Sequence, residues 1–114
     1  MDIQILEKPI SIDSAREFGA HWYPDFLKGS VDISENKIAL GGDYHIESAE
    51  LLVKRGSRHE NVWGFNIRFD EKASKIEFDS MINIKPQFNN RSRIITNDEI
   101  ARKVENIVRS WILF

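Results

Sequence analysis

The chain has 114 residues, a formal net charge of -2, 41% hydrophobic and 30% charged residues, and no cysteine. That composition fits one globular domain burying a single core, and it excludes a disordered or low-complexity chain, disulfides, thiolate metal sites and a cysteine nucleophile. The near-neutral charge offers no global attraction to nucleic acid. No apolar run reaches the roughly 18–20 residues of a membrane helix, and the acidic start lacks the layout of a signal peptide, so a cytoplasmic address is expected.

Residues 3–6 suit a short edge strand, closed off by Pro9, which cannot continue a ladder. Ser11 is placed to cap a helix that starts at Ile12 and carries Ala15, Phe18, Gly19 and Trp22 on its apolar side, with Pro24 limiting its end. Residues 31–34 and 37–40 alternate around Glu35 and Asn36, which predicts a hairpin with a two-residue turn, Val31 opposite Leu40 and Ile33 opposite Ile38. Gly41 and Gly42 end that strand. Asp43 or a near neighbour then caps a second helix, whose stripe of Ile46, Ala49, Leu52 and Val53 runs to Gly56.

Residues 61–69 and 76–84 predict a second hairpin, joined by a loop over 70–75. Setting Phe69 opposite Ile76 brings Ile67 to Phe78, Phe65 to Ser80 and Trp63 to Ile82, so one face is apolar. The other face then holds Arg68 beside Glu77, Asn66 beside Asp79, Gly64 beside Met81 and Val62 beside Asn83. Thr96 and Glu99 have capping-box spacing ahead of a third helix with Ile100, Val104, Ile107, Val108, Trp111 and Ile112 in helical period. The expected fold is α+β: one domain over 1–114, a mainly antiparallel sheet built from two β-hairpins, and about three helices packed on one face.

Three segments carry residues suited to chemistry. Residues 85–93 contain no Asp or Glu, and Asn90, Arg91, Ser92 and Arg93 together offer the planar donors and amides that hold an anion. Read blandly, the same run is a solvated turn. His45 falls at the start of the second helix, where an imidazole can act as acid or base and backbone amides attract negative charge. On the polar sheet face Asp79 can orient His45 or accept a proton, while Asn66 and Asn83 supply donors around Gly64.

The catalytic candidates are thus His45 and Asp79. The ligand-binding candidates are Asn66, Asn83, Asn90, Arg91, Ser92 and Arg93. His21, His45 and His59 lack metal-ligand spacing, so neither a metal nor another cofactor is expected. Trp22, Trp63 and Trp111 fall on apolar faces and read as core, which leaves RNA binding without a stacking platform. The expected partner is a small anionic ligand, with an acidic protein segment or a second copy of the chain as the alternative.

The run Gly41, Gly42, His45, Gly56, Ser57, Trp63, Gly64 and Asn66, continued by Phe78, Asp79, Ser80, Ile82, Asn83, Ile84, Pro86, Asn90, Arg91 and Ser92, resembles a small prokaryotic protein family known only as a domain of unknown function. The likeness spans nearly the whole chain. It implies a free-standing single-domain protein and carries no activity, cofactor or catalytic residue with it.

Overall fold

The computed structural model describes residues 2–70 and 72–114. Met1, in the acidic start, and Glu71, in the expected 70–75 loop, lie outside the described residues. The elements run β1 (Gln4–Ile5), β2 (Ile10–Ser11), α1 (Ile12–Gly19), β3 (Phe26–Asp32), β4 (Lys37–Leu40), α2 (His45–Lys54), β5 (Val62–Arg68), β6 (Lys75–Glu77), α3 (Asp98–Trp111) and β7 (Ile112–Leu113), with short 3-10 turns at His59–Asn61, Met81–Asn83 and Pro86–Phe88. Strands β1, β4, β3, β5 and β6 form, in that order, an antiparallel sheet, and β2 and β7 make a small parallel pair beside it. The fold is α+β, with three helices on a mainly antiparallel sheet. Among the described residues no helix is long and apolar enough to cross a membrane.

Side chains alternate between the faces of a strand, and here the two faces differ in bulk. Leu27, Val31, Ile38, Leu40, Trp63, Phe65 and Ile67 lie on one face and form the main core with Ala15 of α1 and Val104, Ile107 and Val108 of α3. Gly29 at the centre of β3 makes room for the Phe65 ring, since a Cβ there would stand 2.5 Å from its Cζ. The opposite face carries Ser30, Ala39, Val62 and Gly64, which are small or short. Helix α2 lies on that face, packing Ala49 and Leu52 against Ala39 and Val62 and fixing Ser48 Oγ 2.7 Å from Ser30 Oγ. The expectation that all helices gather on one face is therefore corrected for α2. A face read as polar and open is half covered, because its small residues let a helix approach closely.

Both hairpins pair two residues away from the expected register. In the first, Val31 faces Ile38 and Gly29 faces Leu40 across a four-residue turn rather than a two-residue one. Asp32 sets that turn: its Oδ1 accepts from Ser34 N at 2.8 Å and Glu35 N at 3.1 Å, and Asn36 adopts a φ of 54°. Asp32 Oδ2 also accepts from Ser57 Oγ at 2.6 Å, which ties the exit of α2 to the sheet. In the second hairpin Ile67 faces Ile76 and Asn66 faces Glu77. Beyond Glu77 the chain leaves the ladder, so the expected pairs of Phe65 with Ser80 and Trp63 with Ile82 do not form.

Helix boundaries differ in detail. Ser11 caps α1 as expected, its side chain accepting from Ser14 N. The helix stops at Gly19, short of Trp22. Helix α3 is capped by Asn97, whose Oδ1 accepts from Ile100 N at 3.0 Å, and not by Thr96. Thr96 is occupied elsewhere, donating both its N–H and its hydroxyl to Asn90 Oδ1 at 2.8 Å.

Candidate functional site

Helix α2 covers only part of its sheet face. The remainder is a cleft of about 570 Å³ between the start of α2, strands β3 and β5, and residues 77–82, with Arg93 at its edge. Helix α2 begins at His45, and Glu47 Oε1 ties down the two preceding residues by accepting from Asp43 N at 2.9 Å and Tyr44 N at 3.0 Å. The His45 ring turns inward onto β5, its Nε2 lying 3.0 Å from Phe65 O and 2.7 Å from Asn66 Oδ1. Asn66 Nδ2 donates to the main-chain oxygen of Asp79 at 2.9 Å.

This chain of bonds determines a tautomer. A main-chain oxygen only accepts, so Asp79 O sets the Asn66 amide with its NH₂ outward and its oxygen toward the histidine. His45 Nε2 then faces two acceptors and must carry the proton. Nδ1 is left as a lone-pair acceptor with no hydrogen bond to any described residue, on a histidine that is only 9% exposed and lines the cleft. Burial pushes the His45 pKa below its ordinary value of 6.5, against the bonds from Phe65 and Asn66; the nearby charge of Lys28 lowers it further and Asp79 raises it.

Lys28 is the cross-strand neighbour of Asn66. Its ammonium donates to Asp43 O at 2.7 Å and sits 5.4 Å from the ring centroids of both Tyr23 and Tyr44. The Tyr23 hydroxyl donates to the same Asp43 oxygen at 3.0 Å. Among the described residues no carboxylate pairs with Lys28. Across the cleft the charges are matched: Arg68 meets Glu77 at 3.1 Å and Arg93 meets Asp79 at 2.9 Å. Tyr44, Ile46 and Met81 are exposed at the rim.

Of the residues singled out from sequence, His45, Asp79, Asn66 and Arg93 line this cleft. Asp79 reaches His45 through its backbone and Asn66, while its carboxylate serves Arg93. Asn83, Asn90, Arg91 and Ser92 do not line it. Asn83 is fully buried and stands in for the missing strand partner of Gly64, accepting from Gly64 N at 2.8 Å and donating to Gly64 O at 3.1 Å. Asn90, also fully buried, knots the 85–93 loop onto itself by donating to Asn83 O, Ser92 O and Ile94 O. Ser92 Oγ accepts from Ile94 N, and Arg91 is exposed on the turn.

Lys85 is turned inward, 5.2 Å over the Trp63 ring, with its ammonium donating to His59 O at 3.1 Å. The loop read as an anion site is thus held largely by its own amides. The residues missed are Lys28, Tyr23 and Tyr44. The alternation of Phe26, Leu27 and Lys28 ahead of Gly29 was the available signal for Lys28. Among the described residues no group of three or more His, Asp or Glu side chains is placed to hold a metal.

Among the described residues these features define a small α+β domain with helices on both faces of its antiparallel sheet and a cleft left open at a helix N-terminus. The chain belongs to the family described as protein of unknown function (DUF5674), which it matches over residues 4–111. No curated protein and no solved structure matches it.

Proposed function

We propose that the protein binds a small organic anion in the cleft beside the α2 N-terminus. One observation carries this reading: the Lys28 ammonium is the cleft's cation without a carboxylate partner among the described residues, held in place by Asp43 O and the two tyrosine rings. A cation positioned in advance loses little side-chain entropy on binding, and the dipole of α2 adds a partial positive charge at the same end. Among the described residues the walls hold no nucleophile hydrogen-bonded to His45 and no unpaired carboxylate, and the arrangement favours binding over turnover.

Thermal melting against a panel of carboxylates and phosphates tests it. A ligand that binds only the folded chain stabilises it by about 2.7 kcal/mol at 100 times its Kd. A saturable rise in Tm is expected for the intact protein, absent in Lys28→Met and retained in Arg91→Ala. A rise lost in Arg91→Ala and kept in Lys28→Met would move the site to the 85–93 loop, and no rise with any anion would end the reading.

A further inference from the structure

Two polar features of the cleft define the class of its anion. Lys28 supplies one uncompensated positive charge, because Arg68 and Arg93 are each neutralised by Glu77 and Asp79. One charge suits a monoanion such as a carboxylate better than a phosphate dianion, whose second charge would find no unpaired cation in the cleft. The second feature is His45 Nδ1. It is a lone-pair acceptor of a residue only 9% exposed, held in that tautomer by Phe65 O and by the amide that Asp79 O orients.

A carboxylate oxygen cannot satisfy an acceptor. The molecule that completes this site must bring a hydrogen-bond donor of its own, close to its negative charge, because Lys28 is the cross-strand neighbour of the residue to which His45 is bonded. The exposed Tyr44, Ile46 and Met81 at the rim add an apolar surface for the rest of the molecule.

Building on the anion-binding reading, we propose that the cleft takes a hydroxycarboxylate with an apolar body, its carboxylate on the Lys28 ammonium and its hydroxyl donating to His45 Nδ1. Neither group alone selects this class. Lysine and the helix end select charge, the aromatic and aliphatic rim selects the body, and the fixed histidine tautomer selects the hydroxyl. A site that accepts from a hydroxyl favours the ligand that carries one over the analogue that lacks it, by the worth of one hydrogen bond.

The test is isothermal titration, at neutral pH, of 3-phenyllactate and 3-phenylpropionate, which differ by that one hydroxyl, with inorganic phosphate alongside. The hydroxy acid is expected to bind about tenfold more tightly than the deoxy acid, which corresponds to one hydrogen bond. Lys28→Met, a change at a half-buried residue, is expected to abolish measurable binding of both. His45→Phe, taken forward once circular dichroism shows it folded, is expected to bind the two acids equally.

Equal affinity for the two acids in the intact protein, with Lys28 still required, would overturn the assignment to His45 while leaving an anion cleft. Lys28-dependent binding of phosphate with no carboxylate bound would overturn the class in the same way. Binding of none of the three would overturn both this inference and the reading beneath it. Because Lys28→Met does not touch the His45 bonds, a failure of His45→Phe to fold leaves the comparison of the two acids fully decisive.

Discussion

At the scale of single residues, two of the residues that support His45 reach it differently. Asn66 is bonded to it directly and is 4% exposed, whereas the Asp79 carboxylate points to Arg93 and only its main-chain oxygen belongs to the chain of bonds. Asn66→Ala strands Asp79 O and removes one acceptor of Nε2, so it is expected to lower stability by about 1–3 kcal/mol. Asp79→Asn breaks a half-exposed ion pair and is expected to change it by less than about 1 kcal/mol. Urea unfolding of both variants measures this directly, and equal losses would show that the Asp79 side chain, not its backbone, supports the histidine.

The buried imidazole also makes stability depend on pH. Its folded pKa lies below 6.5, so as pH falls through 6.5 the unfolded chain takes up the proton first. The contribution to stability is complete above that value and is lost as pH descends to the folded pKa. Unfolding midpoints at pH 8, 6.5 and 5.5 should decline more steeply in the intact protein than in His45→Gln, whose amide can still donate to Phe65 O. Parallel declines would assign the pH dependence to other groups.

At the scale of elements, the departure of the chain from β6 creates the cleft. Gly64 has no side chain because the 80–82 segment lies against it: a Cβ at that position would stand 2.7 Å from both Cβ and Oγ of Ser80. Asn83 fills the gap left in the ladder, bonding both polar groups of Gly64 and also Phe78 O and Arg93 O. Asn83→Ala leaves several buried backbone groups unpaired and is expected to cost at least about 2 kcal/mol, more than any surface change in the 85–93 loop. Gly64→Ala is expected to cost about 1–3 kcal/mol through overpacking and to weaken ligand binding as well, because Ser80 and its neighbours form one wall of the cleft. Denaturation midpoints for the pair, read beside titration of the Gly64 variant, separate loss of fold from loss of the wall.

The sequence shows why this stretch was hard to read. Alternation over 76–84 is real, but it continues past the point where pairing stops, and period two alone cannot reveal that an asparagine side chain has replaced a strand. The faces of β4 and β5 were legible because a two-residue shift in register keeps parity. The core positions of β3, β4 and β5 therefore survive an incorrect pairing, whereas Ser80 and Ile82 lie on the α2 side of the sheet and Ile46 is exposed. Asn83 and Asn90 looked like ligand residues for the same reason that they suit buried loops: an amide donates and accepts, wherever the partner comes from.

At the scale of the whole molecule, the sheet separates two environments, and two lysines illustrate the difference. Lys28 emerges into the cleft on the α2 face, while Lys85 is 8% exposed and closes over Trp63. Lys85 opens the acid-free 85–93 run, yet its charge is turned away from the surface. Its burial was invisible in sequence because the loop's polar composition is that of a solvated turn. Desolvation pushes the Lys85 pKa below its ordinary value of 10.5. The unfolded chain therefore binds the proton more readily below that pH, so the stability present above 10.5 is lost as pH falls through the folded pKa, and at neutral pH the ammonium burdens the fold.

The bond to His59 O and the Trp63 face offset part of that cost. Methionine fills a similar volume without the charge, and the exposed His59 segment can turn its carbonyl to water. Lys85→Met is accordingly expected to match or exceed the intact protein in stability at pH 7, by up to about 1 kcal/mol, and to keep its affinity for the cleft's ligand. A large loss of stability would mean that the ammonium organises the loop. Unfolding curves at pH 7 and again near pH 10.5, where the advantage should shrink as the folded and unfolded lysines both approach neutrality, decide between a tolerated charge and a structural one.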